Sequence, residues 1–199
     1  MERDNLYLQV LESYRDKRFR LIQKALMNAI DNAESHVYIM NPYFLPPVKL
    51  KRRLRRASAR GVEVRVITCD QSDVPFISMA SRHIYEELLS NDNVRLFEYE
   101  GDDSNECGNI LHGKMCIIDN VFVSLGSFNW DDWSYTKNLE MNLMIVDDKV
   151  GKSVHDQFIV DQQRSKEIKL ENVRNDRTIF QKCLYSAAYY IATIANRIT

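Results

Sequence analysis

No stretch of the 199-residue sequence approaches the roughly 18 consecutive apolar residues of a membrane-spanning helix, and none is expected within it. The first residues, MERDNLYLQV, lack an apolar signal core and carry acids early, so neither a secretory signal nor a transit peptide is expected. Cysteine is scarce and unpatterned. Cys69, Cys107, Cys116 and Cys183 form no CxxC pair and no cysteine–histidine cluster at zinc spacing. They read as free thiols of a reducing compartment rather than a disulfide framework. A net charge of −1 argues against wholesale nucleic-acid binding and leaves local charge to be read separately. Repeats and low-complexity tracts are also missing. What is present is an ordinary globular balance, 45% hydrophobic and 28% charged, in a chain long enough for one domain with a sizeable core.

Apolar residues at Leu21, Ile22, Ala25, Leu26, Ala29 and Ile30 recur at helical spacing within 15–33. HVYIMNPYF reads as a buried strand stopped by Pro42. LPPVKLKRRLRRASARG reads as a helix with Leu50, Leu54 and Ala57 inward and Gly61 as its stop. VEVRVIT is a strand, 76–90 a helix, and VRLFEYE another strand. The polar loop GDDSNECGN precedes three consecutive strands, LHGKMCIID, VFVSLGSFN and LEMNLMIVD. A helix over 149–164, a charged connector over 165–176 and an apolar-faced helix to the end complete the chain. Strands that first alternate with helices and then run consecutively predict an α/β sandwich with a mixed central sheet. Residues 1–170 are expected to form the catalytic half-domain, and 171–199 a connector and apolar helix.

Side chains two apart on a strand share a face. His112 and Lys114 therefore project together, as do Ser127 and Asn129, and likewise Asn138, Glu140 and Asn142. Asp119 lies an odd number of residues from His112 and beside Asn120, a good turn pair, so it reads as a residue holding a turn. If the three strands are neighbours, one surface collects a histidine, a lysine, a serine, amides and a carboxylate. That set suits a phosphodiester. Imidazole attacks phosphorus or protonates a leaving oxygen near neutral pH. Lysine neutralises phosphoryl oxygens, and serine and asparagine donate hydrogen bonds to them. Glu140 could fix a histidine through its second ring nitrogen. No metal or other cofactor is needed.

An isolated H-x-K is usually a surface accident. Here HGKMCIID is followed at a fixed offset by GSFN and then by NLEMN. Together these segments resemble the phospholipase D superfamily: H-x-K-x4-D at His112, Lys114 and Asp119, and G-S-x-N at Gly126, Ser127 and Asn129. NPYFLP (41–46), ARGVEV (59–64), SDVPF (72–76), the 81–89 run and LFEYE (96–100) extend the likeness to the carboxy-terminal half of bacterial-type cardiolipin synthases, over roughly residues 17–165. The resemblance implies a phospholipase D-like α/β sandwich with its site at the seam between two halves. It implies a catalytic set of His112, Lys114, Asp119 and Glu140. Lys114, Ser127 and Asn129 would bind phosphate, His112 would be nucleophile or general acid, and Glu140 would orient the histidine of the opposing half. Some relatives carry an arginine after GSxN where this chain has Trp133.

The function implied is phosphatidyl transfer through a phosphohistidine to an alcohol, phosphatidylglycerol or glycerol. Hydrolysis by the same site, a dimeric nuclease and an inactive half-chain are the competing readings. The chain has one H-x-K, so the second half must come from a homodimer mate or a separate amino-terminal half. Expected partners are an anionic phospholipid substrate and a membrane surface, with nucleic acid disfavoured. The expected location is peripheral, on the cytoplasmic side of a membrane, or mitochondrial in a eukaryote. KLKRRLRRASAR packs seven basic residues into one helix, either as a solvated face or as a patch for anionic headgroups or a nucleic-acid backbone. The terminal helix, with Phe180, Leu184, Ala187, Ala188, Ile191 and Ile194, either packs on the domain or lies on a bilayer. His36, His83 and His155 lack motif partners and read as structural. Tyr43 either lines the site or is a buried aromatic.

Overall fold

The computed structural model describes residues 6–14, 20–70, 74–101 and 111–198, with side chains to 194. Most of the polar loop 101–109, including Cys107, lies outside them. Eight strands form one sheet in the order β1-β7-β6-β5-β2-β3-β4-β8. They are β1 (Tyr7–Ser13), β2 (His36–Met40), β3 (Glu63–Cys69), β4 (Val94–Tyr99), β5 (Met115–Ile118), β6 (Phe122–Gly126), β7 (Glu140–Val146) and β8 (Ser165–Ile168). β2, β3 and β4 are parallel to one another, and the remaining neighbours are antiparallel, so the sheet is mixed.

The parallel strands need crossovers, and helices provide them. α2 (Val48–Ala59) joins β2 to β3, and α3 (Pro75–His83) with α4 (Tyr85–Leu89) joins β3 to β4. The single helix expected over 76–90 breaks at Ile84. α2 buries Leu50, Leu54 and Ala57, one turn apart, and is followed by Gly61 at φ 94°, a left-handed conformation that glycine adopts without a Cβ penalty. α1 (Leu21–Asp31) buries Ile22, Leu26 and Ile30 by the same spacing.

Alternation along the strands divides the core. Val37, Ile39, Val64, Val66 and Leu96 face a layer containing α1–α4. Tyr38, Met40, Ile67 and Phe97 face the other side, covered by α6 (Asp148–Gln163) through Phe158. The result is the mixed-sheet α/β sandwich that the sequence pattern predicts. Two strands and two short helices depart from the expectation. The charged 165–176 connector forms β8 and α7 (Leu170–Asn175), β1 occupies the opposite sheet edge, and α5 (Asp132–Thr136) follows the GSFN segment. The terminal helix α8 (Ile179–Ile198) packs against α3 and inserts Ala188 and Ala192 into the core.

Register fixes which strand ends meet. Met40 at the end of β2 pairs with Met115 at the start of β5, and Met115 with Leu125 near the end of β6. Gly126 pairs with Asn142, and Glu140, at the start of β7, with Ser13 at the end of β1. The segments preceding β5 and β7 and following β2 and β6 therefore emerge from the same end of the sheet.

Candidate active site

His112 and Lys114 lie just before β5, and Ser127 and Asn129 just after β6. Simple strand alternation therefore does not place them, because the strands expected over 111–119 and 121–129 are shorter than the pattern suggests. The ladder extends one step further, with the Gly126 N–H donating to the Lys114 carbonyl at 3.2 Å. The two segments thus leave the sheet side by side. His112 is exposed, and the Lys114 ammonium donates to the His112 carbonyl at 2.9 Å and stands 5.9 Å from the centre of the Tyr43 ring. Half-buried Tyr43 therefore lines the site.

The sequence SFNW shapes the second segment. Phe128 and Trp130 are buried, while Ser127 is exposed and Asn129 half-buried. The aromatic residues anchor the loop in the core. Its backbone is tied from two sides by buried asparagines. Asn142 Oδ1 accepts from the Phe128 N–H at 3.1 Å. Asn41 Oδ1 accepts from the Trp130 N–H at 3.1 Å, and its Nδ2 donates to the Phe128 carbonyl at 3.3 Å. The Ser127 N–H donates to the Met141 carbonyl at 3.0 Å.

Glu140 is buried beside this loop. Its carboxylate accepts from the Ser127 hydroxyl, from the Ser134 hydroxyl at 2.6 Å and from Asn138 Nδ2 at 3.2 Å. Ser134 belongs to α5, whose cap Asp131 accepts the Ser134 N–H at 2.7 Å. Burial pushes the Asp131 carboxyl up to about 6, opposed by the Ser134 and Trp133 N–H groups and reinforced by the charge of Glu140. Asn129 Oδ1 is buried and has no hydrogen-bond partner among the described residues. Trp133 is exposed on α5, with the Lys137 ammonium 4.6 Å from its ring centre.

Asp119 stands at the other end of β5, about 20 Å of extended chain from His112 at roughly 3.3 Å per residue. Its carboxylate accepts the N–H groups of Glu34 at 2.9 Å, Ser35 at 2.8 Å and His36 at 2.9 Å. Asp119 and Asn120 have φ 54° and 55°, and the Val121 N–H returns to the Ile118 carbonyl at 3.1 Å. Two left-handed central residues make this a type I′ hairpin turn, which Asp and Asn tolerate. Burial disfavours the Asp119 charge, but the three N–H groups and His36 outweigh it and hold the carboxyl below its ordinary range. A depressed carboxyl contributes stability above its unfolded pKa, and that stability is lost as pH falls through the folded value. Asp119→Ala should cost ~2 kcal/mol by stranding backbone donors, lowering Tm by about 4–8 °C at neutral pH. The Tm gap between the variant and wild type should narrow below about pH 4. A constant gap from pH 7 to pH 3 would contradict this role.

His36 bridges Ser35 and Asn120, His83 meets the Ser186 hydroxyl at 3.2 Å, and His155 meets Asp156 at 3.3 Å. None of the three neighbours the His112 segment in these contacts. Among the described residues, no group of three His, Cys, Asp or Glu side chains could hold a metal ion. Cys69 and Cys116 are buried and Cys183 is exposed, and the Cys69 thiol donates to the Pro42 carbonyl at 3.0 Å.

Sequence reasoning missed Asn41 and Ser134 as supports of the site. Asn41 lies within NPYFLP and carried a signal only as part of that run. Ser134 carried none, because its link to Glu140 depends on the unexpected helix α5.

The chain is similar to known proteins over most of its length. Over 173 residues the chain is 28% identical to a cardiolipin synthase of Halalkalibacterium halodurans, covering 87% of this chain and 33% of that protein. It is 29% identical over 164 residues to cardiolipin synthase 2 of Staphylococcus epidermidis, covering 82% of this chain and 32% of the relative. The chain thus spans about a third of the length of these curated relatives. Among solved structures, Nuc, a phospholipase D family member from Salmonella typhimurium, superposes with TM-score 0.65 at 23% identity, covering 82% of this chain and 99% of that one. Phosphatidylserine synthase of Haemophilus influenzae superposes with TM-score 0.73 at 13% identity, covering 98% of this chain and 47% of that one. These two likenesses concern the fold. The family described as "Cardiolipin synthase, PLD-like domain" matches residues 26–162, well over half of the sequence, and the chain belongs to it.

Proposed function

We propose that the chain supplies one catalytic half of a phosphatidyltransferase of the cardiolipin synthase type. The observation that carries this reading is the convergence of the His112–Lys114 and Ser127–Asn129 segments at one sheet end, with Glu140 beneath them, in a member of this family. A histidine ring nitrogen attacks the phosphorus of a phosphatidyl donor. The phosphorus–oxygen bond to the departing alcohol breaks, and the opposing histidine gives that oxygen its proton. The same opposing histidine then takes the proton of an acceptor hydroxyl, whose oxygen attacks phosphorus and breaks the phosphorus–nitrogen bond. Phosphatidylglycerol or glycerol is the acceptor. Lys114, Ser127 and Asn129 bind the phosphoryl oxygens. Glu140 orients the opposing histidine by a lone pair left over from its bonds to Ser127, Ser134 and Asn138.

His112 cannot attack phosphorus and protonate the leaving oxygen from one side. A second half is therefore part of the proposal, from an identical chain or a separate amino-terminal half. The buried Asn129 Oδ1, which has no partner among the described residues, supports this, since an unmatched buried acceptor is costly unless something else completes it. A membrane surface presents the substrate. Lys114 supplies the cation, so turnover is expected in excess EDTA. The test offers phosphatidylglycerol vesicles and single-stranded DNA, each with EDTA present. The expected result is lipid product with little DNA cleavage. DNA cleavage without lipid product, or lipid turnover that EDTA stops and magnesium restores, would overturn the reading.

A further inference from the structure

The exposed side of α8 carries Phe180, Leu184, Ala187, Ile191 and Ile194 at successive steps of four and three residues, which place them on one face. Phe180 is 75% exposed, Ile191 56% and Ile194 52%, fractions that a helix packed on a domain does not ordinarily leave to water. The opposite side, with Ala188 and Ala192, is the one that joins the core. α8 contains no aspartate or glutamate, and Lys182 and Arg197 are its only charged residues. Tyr189 and Tyr190 lie along its flank, and amphipathic rings of this kind favour the boundary between water and lipid.

The neighbouring helix is cationic. The Lys51 ammonium of α2 stands 5.9 Å from the centre of the Tyr189 ring, so α2 and α8 meet there. Three of the seven basic residues of α2 and its cap are engaged. Lys51 pairs with Glu87, Arg53 pairs with Asp31, and Arg60 donates to the carbonyls of Ile30 and Ala33. Lys49, Arg52, Arg55 and Arg56 are exposed and make no ion pair among the described residues. Arg52 and Arg55 rim a cavity of about 430 Å³ whose floor includes Leu54, Val66 and Leu88. α2 begins just after the Asn41–Leu45 segment that braces the catalytic loop, so its first turns lie at the catalytic end of the sheet.

We infer that α8 and α2 form the docking surface for an anionic lipid bilayer, with the apolar stripe of α8 sunk at the headgroup boundary and Arg52 and Arg55 on lipid phosphates. The inference rests on the phospholipid reading of the site and names the surface that would deliver substrate to it. Apolar burial combined with cationic side chains is the pattern of an interfacial helix. A nucleic-acid surface would use the arginines but would leave the stripe in water. A coiled coil with a second copy would use the stripe but would expect complementary charges beside it, and α8 has no acid to supply them.

Sedimentation with vesicles tests this, comparing neutral phosphatidylcholine with equal parts phosphatidylcholine and phosphatidylglycerol. Wild-type protein should bind the anionic vesicles and weaken with salt. Leu184→Glu/Ile191→Glu should reduce binding about tenfold or more, and Arg52→Glu/Arg55→Glu should do the same for anionic vesicles. All four positions are exposed. Both variants should therefore keep the wild-type melt and wild-type turnover of a soluble short-chain phosphatidylglycerol. Unchanged vesicle binding by either variant overturns the inference, as does a stripe variant that halves the solution mass while binding vesicles normally. Wild type that turns over the soluble lipid but ignores vesicles removes the docking surface and leaves the enzyme reading intact. Binding that follows this pattern without turnover supports the surface and counts against the enzyme reading.

Discussion

His112→Ala is expected to abolish turnover while leaving the melting temperature close to that of wild type. The residue is exposed, and among the described residues its hydrogen bond runs through the backbone carbonyl, which accepts the Lys114 ammonium and survives the substitution. Its side chain therefore contributes little to folding, and the change should be visible only in chemistry. Lost acid–base catalysis alone costs about a hundredfold or more, and lost nucleophilic catalysis costs more. Rates measured beside thermal melts separate the two effects. A variant that keeps activity would remove His112 from the reaction. A variant that unfolds would show that the side chain holds structure instead.

Gly126→Ala should have a comparable effect on activity by a different route. A Cβ at Gly126 would stand 2.3 Å from the Met141 carbonyl oxygen, 2.4 Å from Asn142 Oδ1 and 2.7 Å from Asn142 Cα. Two of these atoms are backbone of the adjoining strand, so they cannot turn aside. Either β6 and β7 separate at this point or the loop moves. Both outcomes disturb the Ser127 N–H bond to Met141 and the grip of Asn142 on Phe128. Overpacking of this kind costs about 1–3 kcal/mol, which for a chain of this size lowers Tm by about 2–12 °C. Turnover should fall at least about a hundredfold, because a displacement of about 1 Å is enough to misplace the groups proposed to bind phosphate by that factor. Wild-type activity in Gly126→Ala, with an unchanged melt, would contradict the close packing. The glycine of GSFN is thus explained by the approach of β7 rather than by backbone flexibility.

These two positions also show how far the sequence could be read. The fold class followed from strands alternating with helices and then running together, and the sheet is mixed for that reason. β1 escaped notice because its first four residues are exposed on both faces, so no alternation marks Tyr7–Val10 as a strand. β8 escaped because SKEI buries no residue fully and is held by backbone pairing with β4, which leaves no mark on composition. In the site, the spacing of His112, Lys114, Ser127 and Asn129 is legible, but strand alternation alone does not account for their convergence. They project from strand ends, and buried side chains brace the second segment, Asn142 from the adjoining strand and Asn41 through a bond to Trp130 that spans 89 residues. A contact of that span has no local signature. Asp119 was legible as a turn residue from its neighbour Asn120, and the left-handed conformation of both residues gives the physical reason.

We propose that one chain carries half of a reaction centre. The most direct test mixes wild-type and His112→Ala chains, exchanges subunits, and follows activity and solution mass as the wild-type fraction falls. If two copies share one seam, each site draws the same patch from both subunits. Only pairs of wild-type chains would then be active, and an equal mixture should retain about a quarter of the activity at a dimeric mass. Activity that falls in simple proportion to the wild-type fraction, from a species of monomeric mass, would contradict the shared site.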